Sequence, residues 1–245
     1  MKYTTEFRPT LHGFGFANTW RDVLLGAVPV RGRCGGMAFA ALDYFDAREA
    51  VPEERELPPY DSALARLIWR RQLASVFAGS GYNLWRFVEL TYRPADGPRG
   101  GSALTRREIG RVLDLLAGGR PVPLGLISAF DLRHMGRNHQ VLAYAAELTP
   151  TQALIRIYDP NHPLRDDAVL EVSRTDGGPI IERVGERRIE WRGMFAEKYA
   201  PIPRVGSATT LEEHAPGDGA VLLAGVLGVV AAVGLLRWMF GRRRY

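Results

Sequence analysis

Cys34 is the only cysteine of the 245-residue chain, and it stands directly before two glycines in the segment CGGMAFAALDYFDAR. Helix-forming residues and apolar side chains at three- and four-residue spacing predict a helix from Cys34 to about Arg48. The start of a helix stabilises a thiolate through its free N–H groups and its dipole, and a backbone N–H there can bind an oxyanion. We therefore expect a thiol nucleophile whose approach Gly35 and Gly36 keep open. The alternative is a buried cysteine in a glycine-rich turn that leads into a helix.

A histidine and an aspartate stand at the ends of two neighbouring predicted strands. His139 begins the segment HQVLAYAA, and Asp159 ends the segment QALIRIYD. A symmetric hairpin centred on Thr149 would place the two residues opposite each other, with about 4.5–5.5 Å between their Cβ atoms. This separation lets the carboxylate accept the imidazole N–H and fix its tautomer. The alternative is a structural His–Asp pair that joins the two strands.

In this symmetric hairpin, the residues on the same face as His139 and Asp159 are apolar. We expect this face to pack toward the Cys34 helix. That face would carry Val141, Ala143, Ile155 and Ile157. A histidine and an aspartate at its open end are costly to bury unless they are paired. The pattern therefore favours a His139–Asp159 contact beside Cys34.

Together these residues resemble the papain-like cysteine peptidase superfamily. The segments CGGM, NHQVLAY and IYDPN are most similar to the bacteriocin-processing, double-glycine-leader peptidases and their relatives. The resemblance covers about residues 14–165 in chain order, although the strong matches are confined to those three segments. It implies a papain-like fold with Cys34 as nucleophile, His139 as general acid/base and Asp159 as the orienting group. It also implies a peptide or protein substrate, although amidases and acyltransferases use the same three residue types.

One family residue has no counterpart at the expected place. The family usually carries a glutamine a few residues before the cysteine as an oxyanion donor, and the segment VPVRGR has none. Asn18, in GFGFANTW, is the nearest amide that could replace it, since a side-chain NH₂ is the right kind of donor. We therefore include Asn18 in the predicted catalytic set. A turn-forming asparagine is the alternative.

The remaining elements predict an α+β fold, with a helical N-terminal half and an antiparallel sheet in the C-terminal half. Residues 1–33 read as loop with short extended pieces. A second helix is expected from Asp61 to about Phe77, and a third from a Thr105 capping box to Gly118. Strands are expected at 121–128, 139–146, 152–159, 168–173, 180–184 and 187–191.

Other polar residues receive structural interpretations. Asn138 and Asn161 are expected to shape the start of a strand and a turn, and Gln72 is expected to pack on the second helix. His134, His139, Asp159 and His162 could ligate a metal, but their loop placement fits one badly, and no compact His-x-x-x-His helix is present. We therefore expect no metal. No nucleotide or redox cofactor motif is present, and we expect no cofactor.

The net charge of +5 does not indicate a nucleic-acid partner. Four of the 32 basic residues lie at the extreme C-terminus, which leaves 28 basic against 27 acidic residues in the rest of the chain. Without a basic patch, binding to nucleic acid is not expected. A single cysteine also excludes an intramolecular disulfide.

The C-terminal segment predicts a transmembrane helix over residues 219–240. Its first 18 residues, Gly219–Leu236, carry no charge, and Trp238 and four arginines follow. A helix of about 20 apolar residues spans the hydrocarbon core of a bilayer. A buried core helix is the alternative. Small residues four apart could mediate self-association of this helix, namely Ala224, Gly228 and Ala232.

These elements predict a soluble domain over residues 1–205, a juxtamembrane linker over 206–218 and a basic tail over 241–245. The N-terminus has no apolar core of a secretory signal, so we expect a tail-anchored membrane protein with a cytoplasmic domain. The charges that flank the apolar segment favour the opposite orientation, since arginines prefer the cytoplasmic side.

Two functions remain open. The first is a membrane-anchored cysteine hydrolase, with peptide bonds as the favoured substrate. The second is a non-catalytic papain-like binding or assembly module, which the missing glutamine favours.

Overall fold

The structure, a computed structural model, describes residues 1–24, 28–94, 97, 100–175 and 177–202, and this part of the chain forms an α+β fold. The α-helices are α1 (Pro9–His12), α2 (Cys34–Ala47), α3 (Ala63–Tyr92) and α4 (Gly101–Ala117). The strands are β1 (Lys2–Thr4), β2 (Arg21–Leu24), β3 (Val28–Arg31), β4 (Val122–Ile127), β5 (His139–Leu148), β6 (Gln152–Tyr158), β7 (Val169–Ser173), β8 (Ile180–Val184), β9 (Arg187–Trp191) and β10 (Gly193–Ala196). A 3-10 helix, Leu132–Arg137, precedes β5.

Eight of these strands form one antiparallel sheet in the order β10-β4-β5-β6-β7-β8-β9, with β1 paired to β5. Strands β9 and β10 lie at opposite ends of this order, yet only Arg192 separates them in the chain. One residue spans less than about 4 Å. The sheet must therefore curl until its two ends meet, and this curl brings β9 close to β5.

The centre of the sheet is buried on both faces, since all of β4 and the first eight residues of β5 are buried. The face inside the curl carries Val141, Ile155 and Ile157, which join one core cluster with apolar residues of α4. The other face carries Leu142 and Tyr158, which join a second cluster with α2 and the N-terminal aromatic residues. The expectation that the Val141 face packs against the Cys34 helix is therefore wrong, because both faces are apolar and strand parity alone does not say which partner each one meets.

The hairpin of β5 and β6 is formed as predicted, but its register differs by two residues. Ala143 pairs with Ile157 and Leu142 with Tyr158, and a bulge follows between Ala143 and Ala145. On the His139 side of this bulge the shift of two preserves the parity of the side chains, whereas a shift of one would invert it. His139 and Asp159 therefore remain on one face, as diagonal rather than opposed neighbours.

The helix predictions are largely confirmed, and one start is wrong. Helix α2 begins at Cys34, and α3 covers the predicted second helix and continues beyond a non-helical break at 78–81. Helix α4 begins at Gly101, so Thr105 lies inside it and is not a cap. Its hydroxyl accepts from the backbone N–H of Met194, and the Glu108 carboxylate accepts from Ala196. The residues that suggested a capping box thus attach α4 to β10.

The predicted transmembrane helix at 219–240, the linker and the basic tail lie outside the described residues. Within the ranges given above, no helix has the length and apolar character that crossing a bilayer requires.

Helices α2 and α3 approach each other closely at two glycines. A Cβ added to Gly36 would lie 2.1 Å from the carbonyl oxygen of Ile68, and one added to Gly35 would lie 2.1 Å from Oε1 of Gln140. Real side chains do not approach atoms so closely. The two glycines therefore serve the packing of α2 against its neighbours, rather than the open approach to the sulfur that we expected.

We predict that Gly36→Ala destabilises the fold by about 1–3 kcal/mol, because the backbone of α3 must move to admit the methyl group. Gly110→Ala is the matched control, since Gly110 is an exposed residue inside α4 and a Cβ there meets no atom within 4 Å. That control should stabilise the protein by roughly 0.5–1 kcal/mol. Urea unfolding of both variants measures the difference, and equal effects would contradict the close-approach explanation.

Candidate active site

Cys34 is the first residue of α2 and His139 the first of β5, and the two side chains are close enough for Cys34 to raise the pKa of His139. Both are largely buried, with 8% and 6% of their surface exposed. At the start of α2 the backbone N–H groups have no helical partners, so a negative charge on the sulfur lies at the favourable end of the helix dipole. The predicted start of the helix at Cys34 is therefore confirmed.

Asp159 follows β6 and holds the opposite side of the imidazole. His139 Nε2 lies 2.6 Å from Asp159 Oδ1, and the backbone N–H of Asn161 donates to the same oxygen at 2.9 Å. Since the carboxylate accepts the Nε2 proton, Nδ1 is the nitrogen left for Cys34. The three residues thus form a chain from thiol to imidazole to carboxylate.

The charges of His139 and Asp159 stabilise each other. Burial lowers the pKa of His139, but the negative charges of Asp159 and Cys34 and hydrogen bonds with both raise it, so that the net pKa lies well above its usual value. Burial raises the pKa of Asp159, but the His139 charge and hydrogen bonds lower it more, so that the net pKa lies below its usual range. A protonated imidazole beside a thiol is the arrangement that would stabilise a thiolate nucleophile.

Asn18 lies beside the residues that lead into Cys34. Its Oδ1 accepts the backbone N–H of Arg33 at 2.5 Å, and its Nδ2 donates to Asn161 Oδ1 at 3.2 Å. The Arg33 N–H fixes the orientation of the Asn18 amide, because only the carbonyl oxygen can accept it. One N–H of Asn18 is engaged by Asn161, so the predicted oxyanion role falls to its second N–H. That role stays a prediction.

Asn161 completes this group on the other side. Its Oδ1 is occupied by Asn18, so its Nδ2 faces His139 Nε2, at 3.3 Å. The side chain thus connects the segment before Cys34 to the histidine. The sequence predicted Asn161 only as a turn former, and its contact with His139 was missed because it depends on the two-residue register difference.

Two further residues of the site lie on strands β8 and β9, and no pattern in the sequence predicted that these strands would lie near β5. The Trp191 ring stacks on His139 with 5.9 Å between centroids and an interplanar angle of 18°. Trp191 Nε1 donates to Glu182 Oε2 at 2.7 Å, and the nearby Asp159 charge raises the pKa of Glu182. A signal for Glu182 was present in the sequence, since β8 alternates with Ile180, Glu182 and Val184 on its buried face.

A buried polar cluster lies behind the first turn of α2. Gln140 Oε1 accepts from Gln72 Nε2 and Ser75 Oγ, and Gln140 Nε2 donates to Glu197 at 2.7 Å. Gln72 Oε1 accepts the backbone N–H of Gly36 at 3.0 Å. Burial raises the pKa of Glu197 well above its usual value despite the Gln140 hydrogen bond, and the Cys34 charge raises it further. Gln72 is thus more than the packing residue that we predicted.

The other predicted polar residues lie around the site without joining it. His162 Nε2 is 3.7 Å from Asp159 Oδ2, and His134 pairs with Asp131. Asn138 accepts the backbone N–H groups of Ser128 and Ala129, and so holds the loop before β5, as expected of a strand-start residue. Within the described ranges, no group of three or more His, Cys, Asp or Glu side chains could hold a metal ion.

Comparisons with family models, curated proteins and solved structures gave no match to this chain. The chemistry of the site must therefore be inferred from the residues and contacts of the chain itself.

We predict that Asp159→Asn lowers the pKa of His139 by about 1–3 units, because the variant loses the largest of the contributions that together outweigh burial. Titration of the imidazole C–H signals by NMR measures this, with the His139 signal assigned from its loss in His139→Gln. Asp131→Asn is the matched control, since that carboxylate contacts His134 instead. A His139 titration that is equally unaffected by both substitutions would contradict the electrostatic account.

Proposed function

We propose that this chain is a membrane-anchored thiol hydrolase of the papain-like kind, which cleaves an amide bond, most suitably a peptide bond, through a Cys34 acyl-enzyme. One observation carries the proposal: the His139 imidazole is hydrogen-bonded to Asp159 through Nε2, and it lies beside Cys34, the first residue of a helix, whose interaction raises the pKa of His139. A structural His–Asp pair has no need of a thiol at that place.

The reaction begins with the Cys34 thiolate, which attacks the carbonyl carbon of the scissile amide and forms a tetrahedral oxyanion. Backbone N–H groups at the start of α2 and the second N–H of Asn18 are the donors available to the oxyanion. The C–N bond then breaks, and the His139 imidazolium gives its proton to the leaving amine. An acyl-thioester on Cys34 remains.

Water completes the cycle. The now neutral His139 removes a proton from a water molecule, and the resulting hydroxide equivalent attacks the thioester carbonyl. The C–S bond breaks, the carboxylic acid leaves, and the thiolate–imidazolium pair is restored. Asp159 stays ionised throughout, because its role is to hold the imidazole in the required tautomer.

A non-catalytic binding module is the second candidate, and the low exposure of the site favours it. Cys34, His139 and Asn18 each have no more than 8% of their surface exposed. A substrate could therefore reach Cys34 only if the segments that cover the site moved apart. A module that only binds a partner would keep this closed arrangement.

The membrane anchor belongs to the proposal as well. It is supported by the 18 uncharged residues Gly219–Leu236 and the arginines that follow them. Tethering would confine the hydrolase to substrates at or near a bilayer, and a cytoplasmic domain would keep its single thiol reduced.

We predict that a thiol-directed acylating peptide probe modifies Cys34 of the full chain, and that His139→Ala lowers the rate by about 10²–10⁴-fold, since the imidazole partner is lost. The rate is measured by intact-protein mass spectrometry, where one cysteine gives one adduct. Cys34→Ser tests the attachment site, and His134→Ala is the matched histidine control outside the site. A wild-type rate no higher than that of His139→Ala, or of a small free thiol, would leave only the binding module.

A further inference from the structure

Glu182 occupies an unusual place for a carboxyl group. It is the central residue of β8 and is 1% exposed, and its neighbours in the ladder on either side are the apolar Leu170 and Ile189. An ionised carboxylate in such a place costs several kcal/mol unless cations or donors offset the loss of water. Within the described ranges, Glu182 forms no ion pair with a lysine or arginine.

Its two oxygens have different neighbours. Oε2 accepts the indole N–H of Trp191, the residue whose ring stacks on His139. Oε1 is buried and, in the described part of the chain, meets no hydrogen-bond donor, while Asp159 lies close enough for its charge to raise the pKa of Glu182. Two carboxyl groups can share a hydrogen bond only when one of them carries a proton.

The contacts of Asp159 decide which carboxyl carries that proton. Asp159 Oδ1 accepts the Nε2 proton of His139 and the backbone N–H of Asn161, and both donors favour its ionised form. Among the described residues, the Trp191 indole is the one hydrogen-bond donor that Glu182 meets. The proton therefore belongs on Glu182, where it satisfies the otherwise unpartnered Oε1.

We propose that Glu182 is a positioning residue of the catalytic group: a neutral carboxylic acid that donates to Asp159 and accepts from Trp191, and so holds His139 from two sides. One contact orients the carboxylate that binds the imidazole N–H, and the other orients the ring that covers the imidazole face. The inference rests on the proposed function, since a positioning role presupposes that Cys34 and His139 react.

The groups around Glu182 set the pH at which this arrangement fails. Burial raises the pKa of Glu182 to about 7, and the Asp159 charge adds to the rise, while His139 and the Trp191 hydrogen bond lower it. As the pH rises through about 7, Glu182 loses the proton that it donates, and two carboxylates then repel each other. The positioning effect is therefore present below this pH and lost above it.

Single-turnover acylation of Cys34 in the full chain, followed from about pH 5 to about pH 9, tests the proposal. Wild type should show a decline centred near pH 7 that Glu182→Gln lacks, since a Gln side chain donates to Asp159 and accepts from Trp191 at every pH. Glu182→Leu should react about 10- to 100-fold more slowly, because both contacts are lost. Glu190→Gln is the matched control, an exposed glutamate of the adjacent β9 paired with Arg188.

Identical pH–rate profiles for wild type and Glu182→Gln would overturn the positioning role, and so would an unchanged rate in a folded Glu182→Leu. In either case, a reactive Cys34 would still support the hydrolase. The proton is measured separately by the infrared difference between Cys34→Ala and Cys34→Ala with Glu182→Gln. A carboxylic-acid carbonyl band that disappears as the pH rises through about 7 is expected. If the band is absent at lower pH, Glu182 is ionised, and the proposal for Glu182 fails whether or not Cys34 reacts. If Glu182 is protonated but Cys34 is unreactive, the proposed hydrolase activity is refuted instead.

Discussion

The hydrogen bond between His139 Nε2 and Asp159 Oδ1 is the interaction on which the arrangement of the site depends. Both groups are almost fully buried, and a buried charged pair is stable only when further contacts replace the water that each partner has lost. Those contacts come from four directions: the Asn161 backbone after β6, Glu182 on β8, Trp191 on β9 and Cys34 on α2. Strands far apart in the sheet order must therefore meet at one place. The connection through Arg192 provides this, because it makes the sheet curl until β9 reaches β5.

Local patterns in the sequence were sufficient to predict most helices and strands and the pairing of His139 with Asp159. Periodicity placed α2 and most strands within one or two residues, since a strong apolar pattern and glycine or proline boundaries determine them locally. His139 and Asp159 were found because two polar residues ended an apolar face. The prediction tolerated a register difference of two residues, since strand parity repeats every two residues. Cys34 was found because its helix start is a local feature.

The contacts that local patterns do not encode were missed. Both faces of β5 are apolar, so nothing in its alternation indicates that α2 covers one face and α4 the other. Trp191 and Glu182 reach the site only through the curl of the sheet, which depends on a single-residue connection between its two ends. Gly35 and Gly36 show the same limit. The sequence indicated that a side chain would be too large at these two positions. The atoms that a Cβ would meet there, however, belong to α3 and to Gln140.

The distribution of buried acids bears on the choice between an enzyme and a structural module. Asp159, Glu182 and Glu197 are each at least 96% buried, and all three influence the charges of Cys34 or His139. Glu182 Oε1 and Glu197 Oε2 are buried atoms without a donor in the described structure. A protein selected for stability alone would replace such carboxyls by apolar side chains, which is often neutral or stabilising. Acids retained around one thiol and one imidazole are the local instability expected where electrostatics serve a reaction.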